Sequence, residues 1–230
     1  MTLAERLAAV ERLLADPPVV HPMDPSADPE MGVWSTDPDC YRFIARRCDD
    51  TTRTLETGAG LSTALFAVIG TQHTCVTPGR PEVDRLLAYF EHRGIDGSSV
   101  TFDVAASHVA LPRGSGDLDL VLIDGGHGFP MPILDWFYAG ERLRTGGVLI
   151  VDDLPLPAVR TLMAYIDRDD RWLPIERTEK WAAFERRSSG SLAEDWTQQQ
   201  FYVVHPPGAK AFARRVLNKA RREARRVLGG

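Results

Sequence analysis

The stretch from Thr52 to Gly70 constrains this chain most, because it reads as a short strand, a glycine turn and a helix in immediate succession. Thr52 to Glu56 is β-branched and apolar enough for a buried parallel strand. Gly58 and Gly60 allow a sharp turn and leave no Cβ between the main chain and a ligand. Ser62 and Thr63 are placed to cap the helix that follows, whose free N–H groups then face the turn. Such a unit forms the nucleotide-binding corner of an α/β sheet. A dinucleotide fingerprint would need a third glycine where Thr63 stands. It would also need an acid about 20 residues on. The next strand instead ends Cys75-Val76-Thr77-Pro78. The corner is therefore predicted without the full dinucleotide motif.

Around this corner the periodicity alternates between strand and helix. Strands are predicted near 52–56, 73–77, 99–104, 118–123 and 147–151, with helices near 61–69, 82–93, 132–144 and 156–168. That alternation specifies a doubly wound, Rossmann-like α/β sheet, mostly parallel, with helices on both faces. Right-handed crossovers then bring all the parallel strand ends to one edge, where ligands bind. Upstream, apolar residues at 3, 7, 10, 13 and 14 mark an amphipathic helix. Five prolines between Asp16 and Pro29 make that segment a loop. Trp34 to Asp39 reads as the entrance to a helix through Tyr41 to Cys48, with Trp34 packed under its N-terminus or lining a pocket. Residues 172–178 and 181–186 read as two closing strands, and 200–205 as a third.

The last 20 residues differ in character. Lys210, Arg214, Arg215, Lys219, Arg221, Arg222, Arg225 and Arg226 face one acid, Glu223, while Phe212, Val216, Leu217, Ala220, Ala224, Val227 and Leu228 recur at helical spacing. A basic amphipathic helix of this kind can pack on its own domain, join a second subunit, or lie on an anionic membrane surface. Packing or a homo-oligomer contact is the expectation, because a net charge of −5 gives no global attraction to nucleic acid. No apolar run reaches the ~18 residues of a membrane span, so a cytoplasmic protein without a transmembrane segment is expected. Cys40, Cys48 and Cys75 are odd in number and lack CxxC spacing, which predicts reduced thiols rather than disulfides or a zinc site.

Chemistry should gather where three strand ends meet. The first is Glu56 to Gly60. The second is a buried apolar strand ending Asp124-Gly125-Gly126-His127, and the third ends Asp152-Asp153. A single aspartate after a strand is most often a turn residue or helix cap, and Asp153 could cap a helix starting near Pro157. Three acids and one histidine at one edge are a different matter. Crowded carboxylates need a cation or donor to offset their repulsion, and oxygen ligands suit Mg²⁺, Mn²⁺ or Ca²⁺.

Glu56 followed by Gly58 and Gly60 resembles motif I (E/D-x-G-x-G) of the class I S-adenosylmethionine (SAM)-dependent methyltransferases. Ile123-Asp-Gly-Gly-His127 and Gly147-Val-Leu-Ile-Val-Asp-Asp153 resemble the cation-dependent O-methyltransferase branch, which includes catechol-type and sugar or antibiotic-tailoring enzymes. The resemblance covers roughly residues 50–190. It implies an antiparallel C-terminal hairpin and a domain layout of 1–50 as N-terminal helices and cap, 51–206 as the methyltransferase domain, and 207–230 as the basic helix. It implies that Glu56, Thr57, Gly58, Ala59, Gly60, Ser62, Thr63, Thr77, Ser107 and Asp124 bind SAM. It further implies Asp124, Asp152 and Asp153 as ligands of Mg²⁺ or another divalent cation, with Asp124 also catalytic and His127 as the base. Two departures stand out. Thr77 replaces the usual ribose-binding acid, for which Glu82 or the backbone must substitute, and Asp103 to His108 matches the adenine-contacting segment only loosely.

The implied activity is O-methylation of a small hydroxylated molecule, a sugar or natural product. Three readings compete with it. An NAD(P)-dependent oxidoreductase lacks its third glycine and its ribose acid. A nucleic-acid base methyltransferase would carry [D/N]-P-P-[Y/F] where this chain has Asp124-Gly-Gly-His127. A catalytically silent methyltransferase-like binding module would not need acids at all three strand ends.

Overall fold

The computed structural model describes residues 1–21, 35–188, 191–195 and 197–199. The chain divides into two compact units, Met1–Leu192 and Ala193–Gly230. The expected strand at 200–205, the basic helix at 207–230 and Trp34 lie outside the described residues.

The first unit opens with α1 (Leu3–Ala15) and α2 (Pro38–Arg47). A capping box starts α1: Thr2 Oγ1 accepts the Glu5 N–H at 3.3 Å, and Glu5 accepts the Thr2 N–H at 2.7 Å. Strand–helix alternation follows with β1 (Arg53–Thr57), α3 (Leu61–Ile69), β2 (Gln72–Thr77), α4 (Arg80–Arg93) and β3 (Val100–Val104). Then come the short α5 (Ser107–Ala110), β4 (Leu118–Ile123), α6 (Met131–Glu141), β5 (Leu143–Val151) and α7 (Pro157–Ile166). The hairpin of β6 (Trp172–Arg177) and β7 (Ala182–Arg186) completes one seven-stranded sheet in the order β3-β2-β1-β4-β5-β7-β6. β3 to β5 run parallel, and β7 is antiparallel to both of its neighbours. The predicted doubly wound sheet and its antiparallel hairpin are the observed ones.

The two-residue period of a strand divides the interior into two cores. Leu120, Leu122, Val148 and Ile150 face one side, with α1 to α4. Val121, Ile123, Leu149 and Val151 face the other, with α6 and α7. Central strands buried on both faces explain the continuous apolar runs in the sequence.

Two boundaries differ from the prediction. β5 starts at Leu143, where a helix was expected to continue to 144. Its register against β4 shifts between Leu118 and Leu120, and Gly146 sits at φ +80°. The Gly146–Gly147 pair is therefore part of an irregular strand rather than a connecting loop. α5 was not predicted; it is a four-residue turn that takes Ser107 off the end of β3. Cys40, Cys48 and Cys75 are free and buried, as expected. Among the described residues, no helix is long and apolar enough to cross a membrane.

Candidate active site

Parallel register brings the sequence-distant candidates to one level. Thr57 pairs with Ile123, and Ile123 with Val151. The ladder continues one step past each strand, the Asp124 N–H donating to Thr57 O at 3.2 Å and the Asp152 N–H to Ile123 O at 3.0 Å. Gly58, Asp124 and Asp152 thus leave the sheet side by side. They open onto a cleft of about 820 Å³, within the range typical of small-molecule sites.

The glycine turn forms one wall. Gly58 has φ +95°, and a Cβ there would lie 2.2 Å from the Asp124 carbonyl oxygen. Gly60 is extended, with open space where its Cβ would project. Contrary to the expected Ser62 and Thr63 caps, Gly60 itself is the N-cap of α3. Thr63 reaches back from the first turn to accept the Gly60 N–H at 3.0 Å and donates its own proton to Glu56. Glu56 is 1% exposed and also meets His73 Nε2 at 3.1 Å, while His73 Nδ1 meets Thr54 Oγ1 at 2.8 Å. Of the residues expected to bind SAM, Thr57, Gly58, Ala59, Gly60 and Ser62 line the cleft. Thr77, Ser107 and Asp124 line it as well. Glu56 and Thr63 lie beneath the turn and brace it.

At the β2 end, Thr77 Oγ1 donates to Glu82, which α4 returns toward the strand. His21 bridges the two walls, Nε2 lying 2.9 Å from Ala59 O and Nδ1 3.4 Å from Glu82 Oε1. The segment carrying it is tied to α4 by Arg85 Nε on Val20 O at 2.6 Å and by the Tyr89 hydroxyl on Asp16 O at 2.7 Å. An acid therefore does stand at the end of β2, supplied from a helix. His21 was not foreseen, since a histidine in a proline-rich loop gives no periodic signal.

The acid cluster forms the opposite wall. His127 Nε2 lies 3.0 Å from Asp153 Oδ2. Lys180, in the β6–β7 turn, puts Nζ 2.7 Å from Asp153 Oδ1 and 3.7 Å from Asp152 Oδ2. Asp153 has φ +57°, an uncommon conformation that aspartate tolerates better than most residues. Burial raises the Asp153 carboxyl, but hydrogen bonds from His127 and Lys180 outweigh it and hold it down at about 2. Burial pushes Asp152 up to about 6 against the pull of the Lys180 charge and of the Thr36 hydroxyl. Asp124 is driven well above the ordinary carboxylate range by burial and then by the charges of Asp152 and Asp153. Behind this wall Asp135 of α6 is wholly buried, and burial raises it against the opposing pull of the Ser107 and Thr57 hydroxyls.

Among the described residues, the groups whose ligand atoms converge within 4.8 Å are Asp124, His127 and Asp153. Asp152 stands outside that group, so the expected all-carboxylate set is brought together only in part. Lys180 was missed by sequence reasoning, although the topology could have found it. A strand antiparallel to β5 must begin at the edge where β5 ends.

The sheet order, the glycine turn and the acid-tipped strands together define a class I SAM-dependent methyltransferase fold. A family profile described as a methyltransferase domain matches residues 55–154, from β1 through the Asp152–Asp153 pair. Similar structures include TomG of Streptomyces achromogenes, an O-methyltransferase involved in Tomaymycin synthesis solved with SAM. The TM-score is 0.53 at 15% identity, covering 82% of this chain and 91% of TomG. The methyltransferase PaMTH1 of Podospora anserina, solved with S-adenosylhomocysteine (SAH), gives 0.55 at 15% identity over 81% and 88%. An rRNA methylase of Streptococcus thermophilus gives 0.51 at 15% identity over 64% and 93%. No curated protein shows significant sequence similarity to the chain. Likeness at these identities establishes the fold, which is shared by enzymes with unlike acceptors.

Proposed function

We propose that the chain transfers the methyl group of SAM to a hydroxyl of a small molecule, a sugar or hydroxylated natural product, with His127 as the proton acceptor. The observation that carries this reading is the His127–Asp153 pair, 3.0 Å apart on the wall facing the glycine turn. Asp153 orients the ring and stabilises the imidazolium that proton uptake creates, as carboxylates do for catalytic histidines elsewhere. The turn from Thr57 to Ser62 and Asp124 hold the methionine part of the cofactor, while Ser107 lies toward its base. Glu82, presented at Thr77, takes the ribose hydroxyls. In the step itself the acceptor's O–H proton passes to His127 and an oxygen lone pair forms the bond to the methyl carbon. The broken C–S pair returns to sulfur and leaves a neutral thioether. The remaining task is alignment and exclusion of water, which residues 1–50 assist as a cap.

A second reading adds a divalent cation, favoured by the convergence of Asp124, His127 and Asp153. Such an ion would lower the pKa of the acceptor hydroxyl, and His127 would then be a ligand rather than the base.

Thermal melting with SAM, SAH or NAD⁺, each with Mg²⁺ or EDTA, tests the cofactor. SAM and SAH should stabilise the fold by about 2.7 kcal/mol at one hundred times Kd, and NAD⁺ should not. A shift with NAD⁺ alone would restore the oxidoreductase. No shift with any of them would favour the silent module. Glu82→Gln should weaken SAH about tenfold, the scale of one hydrogen bond to a charged group, as read by calorimetric titration. Unchanged affinity would remove Glu82 from the ribose site.

A further inference from the structure

Lys180 is held in position by the main chain on both sides. Thr178 Oγ1 accepts the N–H groups of Lys180 at 3.1 Å and Trp181 at 3.0 Å. The Trp181 ring is wholly buried, 5.4 Å from that of Phe43. The Lys180 carbonyl accepts the N–H of Leu154 at 2.8 Å, directly after the acid pair. The main chain that carries the lysine is thereby fixed beside its carboxylates.

The consequence is read at Asp153. One of its oxygens takes Lys180 at 2.7 Å, and the other takes His127 at 3.0 Å. Asp152, almost fully buried, has Lys180 as its neighbouring cation at 3.7 Å. A divalent ion seated between Asp124, His127 and Asp153 would compete with these partners for the Asp153 oxygens and would sit beside an ammonium. For Asp152 and Asp153 the requirement that crowded carboxylates be offset by a cation or donor is thus met from within the chain.

We propose that Lys180 is the resident counter-cation of this acid cluster, standing on Asp152 and Asp153 in place of a divalent ion, so that the chemistry of this chain proceeds without a metal. Lys180 is then a positioning residue: it keeps Asp153 aimed at His127. This catalytic consequence rests on the methyl-transfer reading above; the exclusion of metal does not.

The test is Mn²⁺ binding to the full chain, followed by electron paramagnetic resonance, with SAH affinity measured on the same samples. Wild type and Lys180→Arg should show no saturable Mn²⁺ binding. Lys180→Met should bind one Mn²⁺ at least about tenfold more tightly, the scale on which one nearby like charge acts. EDTA should leave wild-type methyl transfer unchanged. Saturable Mn²⁺ binding by wild type would overturn the proposal, whether or not Lys180→Met strengthens it. So would loss of activity in EDTA restored by Mg²⁺. If Lys180→Met does not fold, Lys180→Gln replaces it, and saturable binding by wild type still counts against the idea. Failure of wild type to bind SAH would sink the methyltransferase reading instead, leaving the metal comparison intact.

Discussion

Gly58→Ala should abolish SAH binding and lower the melting temperature by several degrees. The left-handed backbone at φ +95° costs a residue with a side chain about 1–3 kcal/mol. The new methyl group would also stand 2.2 Å from the Asp124 carbonyl oxygen, so β1 and β4 must part at the level of the site. Stability and binding are therefore lost together. Gly60→Ala is the informative control. Its backbone is extended and its Cβ would enter open space, so the fold should melt normally while the cleft loses room for the ligand. If Gly58→Ala bound SAH like wild type, the turn could not be the cofactor wall.

His127→Ala should reduce the turnover of a methyl-accepting substrate by roughly 10²- to 10⁴-fold, the usual contribution of a positioned base. SAH affinity should stay near wild type, because the ring faces Asp153 rather than the glycine turn. Asp153→Asn should give a smaller loss, since the histidine remains but its orienting charge is gone. That variant also removes the negative charge 2.7 Å from Lys180 and should melt earlier. Unaltered turnover in His127→Ala would hand the proton to another group and would count against His127 as base and as metal ligand alike.

Much of this site could be read in the sequence because parallel strands in register turn sequence spacing into spatial level. Once 52–56, 118–123 and 147–151 are strands, Gly58, Asp124 and Asp152 must emerge together. Sequence could not say which acid of the adjacent pair would meet the histidine. That depends on the backbone at Asp153, which bends to φ +57° and separates two neighbours into different environments. Sequence did offer Glu82 as the substitute for the acid missing at Thr77, and the first turn of α4 brings the two together. Lys180 and His21 come from a hairpin turn and a proline-rich loop. Neither element has a hydrophobic period, so spacing does not place them, although antiparallel pairing with β5 fixes the edge at which Lys180 lies. Motif reasoning could not show that Glu56 is 1% exposed and braces the glycine turn from beneath through Thr63.

That brace bears on how the cofactor would be captured. The chain of hydrogen bonds from Thr54 through His73, Glu56 and Thr63 to the Gly60 N–H is built wholly of protein groups. A turn braced by these bonds has few conformers left to lose, so association should cost little ordering entropy there. Binding energy at this wall then reaches the measured affinity undiminished by an ordering cost. The amides of this corner should be among the slowest in the molecule to exchange with deuterium, since they open only when the sheet itself does.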